Sequence, residues 1–167
     1  MTRTALRVSL ARVHAISAII GAQQLLERFR RDRPRARLVE LPQRFALVAA
    51  TDELIAEAGP GALVPGFYFL TETLACELEA LSREAPLVFV ETEYFGGPGG
   101  QAAIVFRDGR RAFAASTHED SPLGDEEWPI STALRSLGVE RGDALDEFEA
   151  IGLGRLRSTE RWEAAGR

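Results

Sequence analysis

Glu91 and Glu93 close a strand-like run that begins at Leu87, and the chain then breaks into Gly96-Gly97-Pro98-Gly99-Gly100 before a second such run starts at Gln101. Side chains two apart on a strand share a face, so this spacing sets two carboxylates side by side. The glycines beside them allow a backbone to approach a partner closely. Paired carboxylates suit two kinds of chemistry. They hold hard divalent cations, or they separate their pKa values and act as acid and base. A solvated face is the plain alternative for both.

The same region supplies further polar groups. Tyr94 and Gln101 are expected to pair across the hairpin or to bracket a polar contact near Glu93. His118 precedes Glu119 and Asp120, whose charges would favour its protonated form in a polar loop. The candidate contact surface is therefore Glu91, Glu93, Tyr94, Gly96, Gly97, Gly99, Gly100, Gln101, His118, Glu119 and Asp120. A phosphate-binding glycine loop should open a helix, but this one runs into Gln101-Ala102-Ala103-Ile104-Val105-Phe106, which reads as a strand. Nucleotide binding there is rejected. His14 sits in an apolar run and reads as a core residue, while Cys76 lies opposite the Leu74, Leu78 and Leu81 stripe among acids that disfavour a thiolate.

Composition narrows the classes. All 20 basic residues are Arg, which removes a P-loop lysine, Schiff-base chemistry and a lysine base. Two His and one Cys cannot build a Cys-rich or three-His zinc site within one chain, and no intrachain disulfide can form. The sequence assigns no catalytic residue, no metal ligand and no cofactor. A net charge of −5 disfavours nucleic acid and anionic lipid. The Arg28, Arg30, Arg31, Arg33, Arg35 and Arg37 cluster reads as a solvated helix end and turn, with RNA or phosphate binding as the alternative. The apolar segment Ala15 to Ala22 is too short to span a membrane, and Arg12 and His14 interrupt what a signal peptide needs. The expected location is cytoplasmic.

Glu91-Thr92-Glu93-Tyr94-Phe95-Gly96-Gly97 with Gln101-Ala102-Ala103, and Asp146-Glu147-Phe148 with Gly152-Leu153-Gly154-Arg155 and Ser158-Thr159-Glu160-Arg161-Trp162, form two blocks. They resemble blocks in a group of small uncharacterised proteins of GC-rich bacteria. That group carries no assigned activity, so the resemblance implies a bacterial cytoplasmic protein and transfers no site residue.

The positioning elements follow from periodicity and punctuation. Strands are predicted over Arg12 to Ile20, Arg37 to Leu41, Arg44 to Ala49, Gln101 to Arg107 and Arg110 to Ala115, besides the run from Leu87. Asp108-Gly109 is a two-residue hairpin turn. Helices are predicted over Gln23 to Arg31, from Thr51 to Ala58, from Thr71 to Glu84, from Pro129 to Gly138, after an Asp143 cap with Leu145, Phe148 and Ile151 inward, and from Ser158 around Trp162. The expected architecture is one α+β domain over 1–167, a mostly antiparallel sheet of about six strands with helices packed on one side.

With no catalytic set in view, the expected function is a protein-binding module of the immunity-protein or inhibitor type, whose acidic surface masks a partner such as a basic toxin. Two alternatives are a divalent-metal-dependent hydrolase or nuclease using Glu91, Glu93 and His118, and a structural homo-oligomer, such as a homodimer, formed through the Cys76 face.

Overall fold

A computed structural model of the chain describes residues 13–95, 99–118, 123 and 128–167. Its centre is a six-stranded sheet in the order β2-β3-β1-β4-β5-β6, and every neighbouring pair is antiparallel. The strands are β1 (Val13–Ala22), β2 (Leu38–Glu40), β3 (Phe45–Ala49), β4 (Leu87–Phe95), β5 (Gly99–Arg107) and β6 (Arg110–Ser116). Helices α1 (Gln23–Arg31), α2 (Asp52–Glu57) and α3 (Glu72–Leu81) lie between strands, and α4 (Pro129–Ser136), α5 (Glu147–Ala150) and α6 (Thr159–Ala165) follow the sheet. The first four strands form two interleaved split β-α-β units: β3 lies between the parallel strands β1 and β2, and β1 between β3 and β4. The apolar segment Ala15 to Ala22 is the sheet's central strand, and no described helix is long and apolar enough to cross a membrane.

Helices cover both faces of the sheet, not one. Ile19, Phe89, Ile104 and Phe106 pack with Leu25, Leu26, Leu54, Leu74 and Leu78 of α1, α2 and α3. Ile16, Ile20, Val88, Val90 and Val105 pack on the opposite face with Ile130, Leu134, Ile151 and Trp162. The two-sided burial explains the unbroken apolar runs Leu87 to Val90 and Ala102 to Phe106, because a strand covered on both faces has no solvent side on which to alternate. Each fully buried Leu or Phe contributes roughly 2 to 3 kcal/mol by leaving water, so both layers are needed.

Local chemistry sets the ends of these elements. Thr51 and Thr71 cap α2 and α3 by accepting the N–H of Leu54 and of Leu74, and Ser158 caps α6 through the N–H of Arg161. Asp108 and Gly109 both have positive φ, the conformation a two-residue turn needs between right-twisted strands. The cap of α5 is Asp146, not Asp143, and Leu145 is 85% exposed instead of buried. Glu147 is buried against Arg135 of α4, which donates to both of its oxygens at 2.8 and 3.2 Å.

The strand directions gather one set of connections at one end of the sheet. The ends of β3, β4 and β6 and the starts of β1 and β5 lie there, with the 59–71 connection and the start of α6. β3 pairs only with the far half of β1, from Ala18 onward. The vacated edge is taken by residues 157–159: Ala15 N–H donates to the Arg157 carbonyl at 2.9 Å and Ser17 N–H to Thr159 Oγ1 at 2.9 Å.

Candidate functional site

Glu91 and Glu93 continue the Leu87, Phe89 face of β4 and therefore emerge on the α1 to α3 side of the sheet. Glu91 is only 1% exposed. Its carboxylate reaches the 59–71 connection, where the backbone N–H groups of Tyr68 and Phe69 donate to Oε1 at 2.7 Å and to Oε2 at 3.1 Å. Burial pushes its carboxyl up to about 7 against these two hydrogen bonds, and the charge of Glu93 adds to the rise. Glu91 thus fastens a loop from beneath and is not a surface acid. The Phe67-Tyr68-Phe69-Leu70 run is split by this arrangement: Phe67 and Leu70 enter the core, while Tyr68 and Phe69 stand 45% and 41% exposed.

His118 lies on the same side, after the end of β6, and is 8% exposed. Its ring stacks on Tyr68 with centroids 4.2 Å apart, and its Nε2 is 4.0 Å from Glu91 Oε1. Gly100 makes this seat: a Cβ there would come within 2.7 Å of His118 Nδ1 and 3.0 Å of its backbone N. Burial lowers the pKa of His118, so the solvated, charge-favoured imidazole expected from its acidic neighbours gives way to a buried neutral one. Its Nε2 has no hydrogen-bond partner among the described residues.

Tyr94 and Gln101 belong to the opposite face. Gln101 Nε2 donates to Tyr94 Oη at 3.0 Å, and its Oε1 accepts the N–H of Ile130 at the start of α4 at 3.0 Å. The pair ties the hairpin to a helix and stands apart from Glu91 and His118. Thr92 on that face holds His14 through Oγ1 and Nδ1 at 2.9 Å. The nominated residues therefore divide: Glu91, Glu93, Gly100 and His118 gather beneath Tyr68, with Gly99 next to them on the same hairpin, while Tyr94 and Gln101 brace the other layer. Gly96, Gly97, Glu119 and Asp120 lie outside the described residues.

Among the described residues no three His, Cys, Asp or Glu side chains gather as a metal centre requires. Cys76 is exposed on α3, as its helical position predicts. No protein family, curated protein or solved structure matches this chain.

Sequence reasoning missed the 59–71 connection, which carries the exposed aromatics, and a cleft of about 490 Å³ beside it between the starts of α2 and α6. Phe69 forms one wall of that cleft, and Asp52, Glu53, Glu160 and Glu163 line it. Phe67 to Leu70 carried an apolar signal, but Glu91 is more than twenty residues downstream and no local pattern links the two.

Proposed function

We propose that the protein is a cytoplasmic binding module of the immunity-protein or inhibitor kind, which covers a basic partner with the loop end of its sheet. The observation that carries this reading is the fastening of Tyr68 and Phe69 by the buried Glu91 carboxylate. Exposed aromatic side chains dominate the energetics of protein interfaces, and holding them in place before contact lowers the entropy lost on binding. Charge supports the same end of the molecule. Several acids on the other elements are paired: Glu72 and Glu79 with Arg111, Glu77 with Arg33, Glu84 with Arg28 and Glu40 with Arg167. Asp52, Glu53, Glu160 and Glu163 beside Phe69 make no ion pair among the described residues, which leaves a local negative field to steer a basic surface inward.

The test is co-expression with the products of adjacent genes, followed by pull-down of the wild type and of the Tyr68→Ala/Phe69→Ala double variant. A partner held by the wild type should be lost by the double variant, with affinity falling about a hundredfold if both rings are anchors. Equal retention by the two proteins, or no partner across such pairs, removes the reading.

The Glu91 and His118 pair supports a second reading, acid–base hydrolysis. Burial moves the carboxyl up to about 7 and the imidazole down, so that near neutral pH the carboxyl can keep a proton to give while the imidazole is neutral and can take one, the two roles of general acid–base catalysis. A hydrolytic rate on phosphodiester or ester substrates should then fall by about a hundredfold or more in His118→Gln. Equal rates in the two proteins, with no heat on titration with Mg²⁺ or Mn²⁺, dispose of it.

A further inference from the structure

We propose that the cleft between the starts of α2 and α6 receives one arginine or lysine side chain of the partner. This rests on the binding reading above and gives it a chemical address. The cleft is lined by four carboxylates, Asp52, Glu53, Glu160 and Glu163, and by Phe69, and no basic side chain lines it in a chain with 20 Arg. Its volume of about 490 Å³ falls within the range of sites that enclose a ligand group.

Three of the acids have a local cause. Asp52 and Glu53 lie in the first turn of α2 and Glu160 in that of α6, where the positive end of a helix favours them. That cause does not reach Glu163, which is a turn further along α6. Nor does it account for Ser17. This residue is 4% exposed and lines the cleft from β1, yet its hydroxyl makes no hydrogen bond among the described residues, although its backbone N–H and carbonyl are both used. The hydroxyl is not sealed inside the protein but opens onto the cleft, where water can satisfy it in the free chain and a ligand can take that water's place. Here it faces a space bounded by carboxylates, where it can accept from the N–H groups of a cation. The Phe69 wall suits a guanidinium or ammonium stem, which gains from the negative face of a ring. An anion would meet four carboxylates, so the selectivity is for positive charge.

The experiment follows backbone amide shifts on the intact chain during titration with a blocked arginine peptide, its citrulline counterpart and agmatine. The arginine peptide should move the amides of Ser17, Phe69 and Thr159, and the neutral citrulline peptide should not. Glu53→Gln/Glu160→Gln should weaken the arginine peptide about tenfold, with more salt doing the same, while Glu84→Gln on the far side of the fold leaves it unchanged. Matching shifts with citrulline, or full affinity in the double variant, overturn the site. Agmatine binding as tightly as the peptide overturns its assignment to a partner's side chain in favour of a free small cation. If the cleft fails while partner capture still requires Tyr68 and Phe69, the binding reading stands and this address for it falls alone.

Discussion

Replacing Glu91 by glutamine is expected to abolish a loss of stability that the wild type suffers as the pH rises from 4.5 to about 7. The folded chain holds a proton on Glu91 up to about 7, whereas the unfolded chain gives it up near the ordinary 4.5. Stability from this group is complete below 4.5 and falls as the pH climbs through that window, levelling off above 7 at a deficit of about 3 kcal/mol. His14 and His118 act in the opposite direction. Burial lowers both, so their contribution is present above 6.5 and lost as the pH falls below it. The wild-type profile therefore mixes two opposed slopes, and the difference between wild type and Glu91→Gln isolates the carboxyl. Glutamine keeps an oxygen for one of the two N–H donors and forfeits the other bond, a penalty on the order of 1 kcal/mol that does not vary with pH. Urea unfolding at half-unit steps from pH 4.5 to 8 should show the wild type losing about 3 kcal/mol relative to the variant. A flat difference would mean that burial does not hold a proton on Glu91. The same titration bears on function, since the N–H groups of Tyr68 and Phe69 bond the ionised carboxylate more strongly than the protonated one.

The parts of this site that sequence could reach are those made by neighbours in the chain. Thr51, Thr71 and Ser158 stand immediately before their helices and cap them, and Asp108-Gly109 turns between β5 and β6, because caps and tight turns are decided within four residues. Asp143 and Asp146 are three apart and chemically equal as caps, so the choice between them falls to packing, which also leaves Leu145 outside. The second helical layer was legible in principle. Leu87-Val88-Phe89-Val90 has no polar alternation, and a one-sided sheet cannot accommodate that run in its middle. His118 was misjudged for a different reason. Glu119 and Asp120 follow it in sequence, but its surroundings are Tyr68, Gly100 and Glu91, brought from three separate segments by the sheet. Glu91 itself reads like Glu93 on paper, and only the 59–71 connection laid over it makes one a buried anchor and the other a half-exposed acid.

Trp162→Ala should be the most damaging single change away from that anchor, costing about 3 to 5 kcal/mol. Trp162 is fully buried at the centre of the layer formed by α4, α5 and α6, under the guanidinium of Arg155 at 5.4 Å from its ring. Trp162→Phe should cost less than about 1.5 kcal/mol, since a ring remains for both contacts. The indole Nε1 has no hydrogen-bond partner among the described residues, so its removal relieves a buried donor and offsets part of the lost area. Urea unfolding of both variants checks the ordering, and equal stability would show that α6 contributes little to the second layer. The consequence extends to the cleft. α6 carries Glu160 and Glu163, and the residues leading into it pair with Ala15 and Ser17 along the edge that β3 leaves open. Loosening the helix at Trp162 therefore removes one wall of the acidic cleft, and the amide shifts of Ser17 and Thr159 should move in Trp162→Ala while holding in Trp162→Phe. Because Tyr68 and Phe69 are fastened from the opposite face by Glu91, partner capture through the aromatic pair should outlast that loss in whatever fraction of Trp162→Ala remains folded.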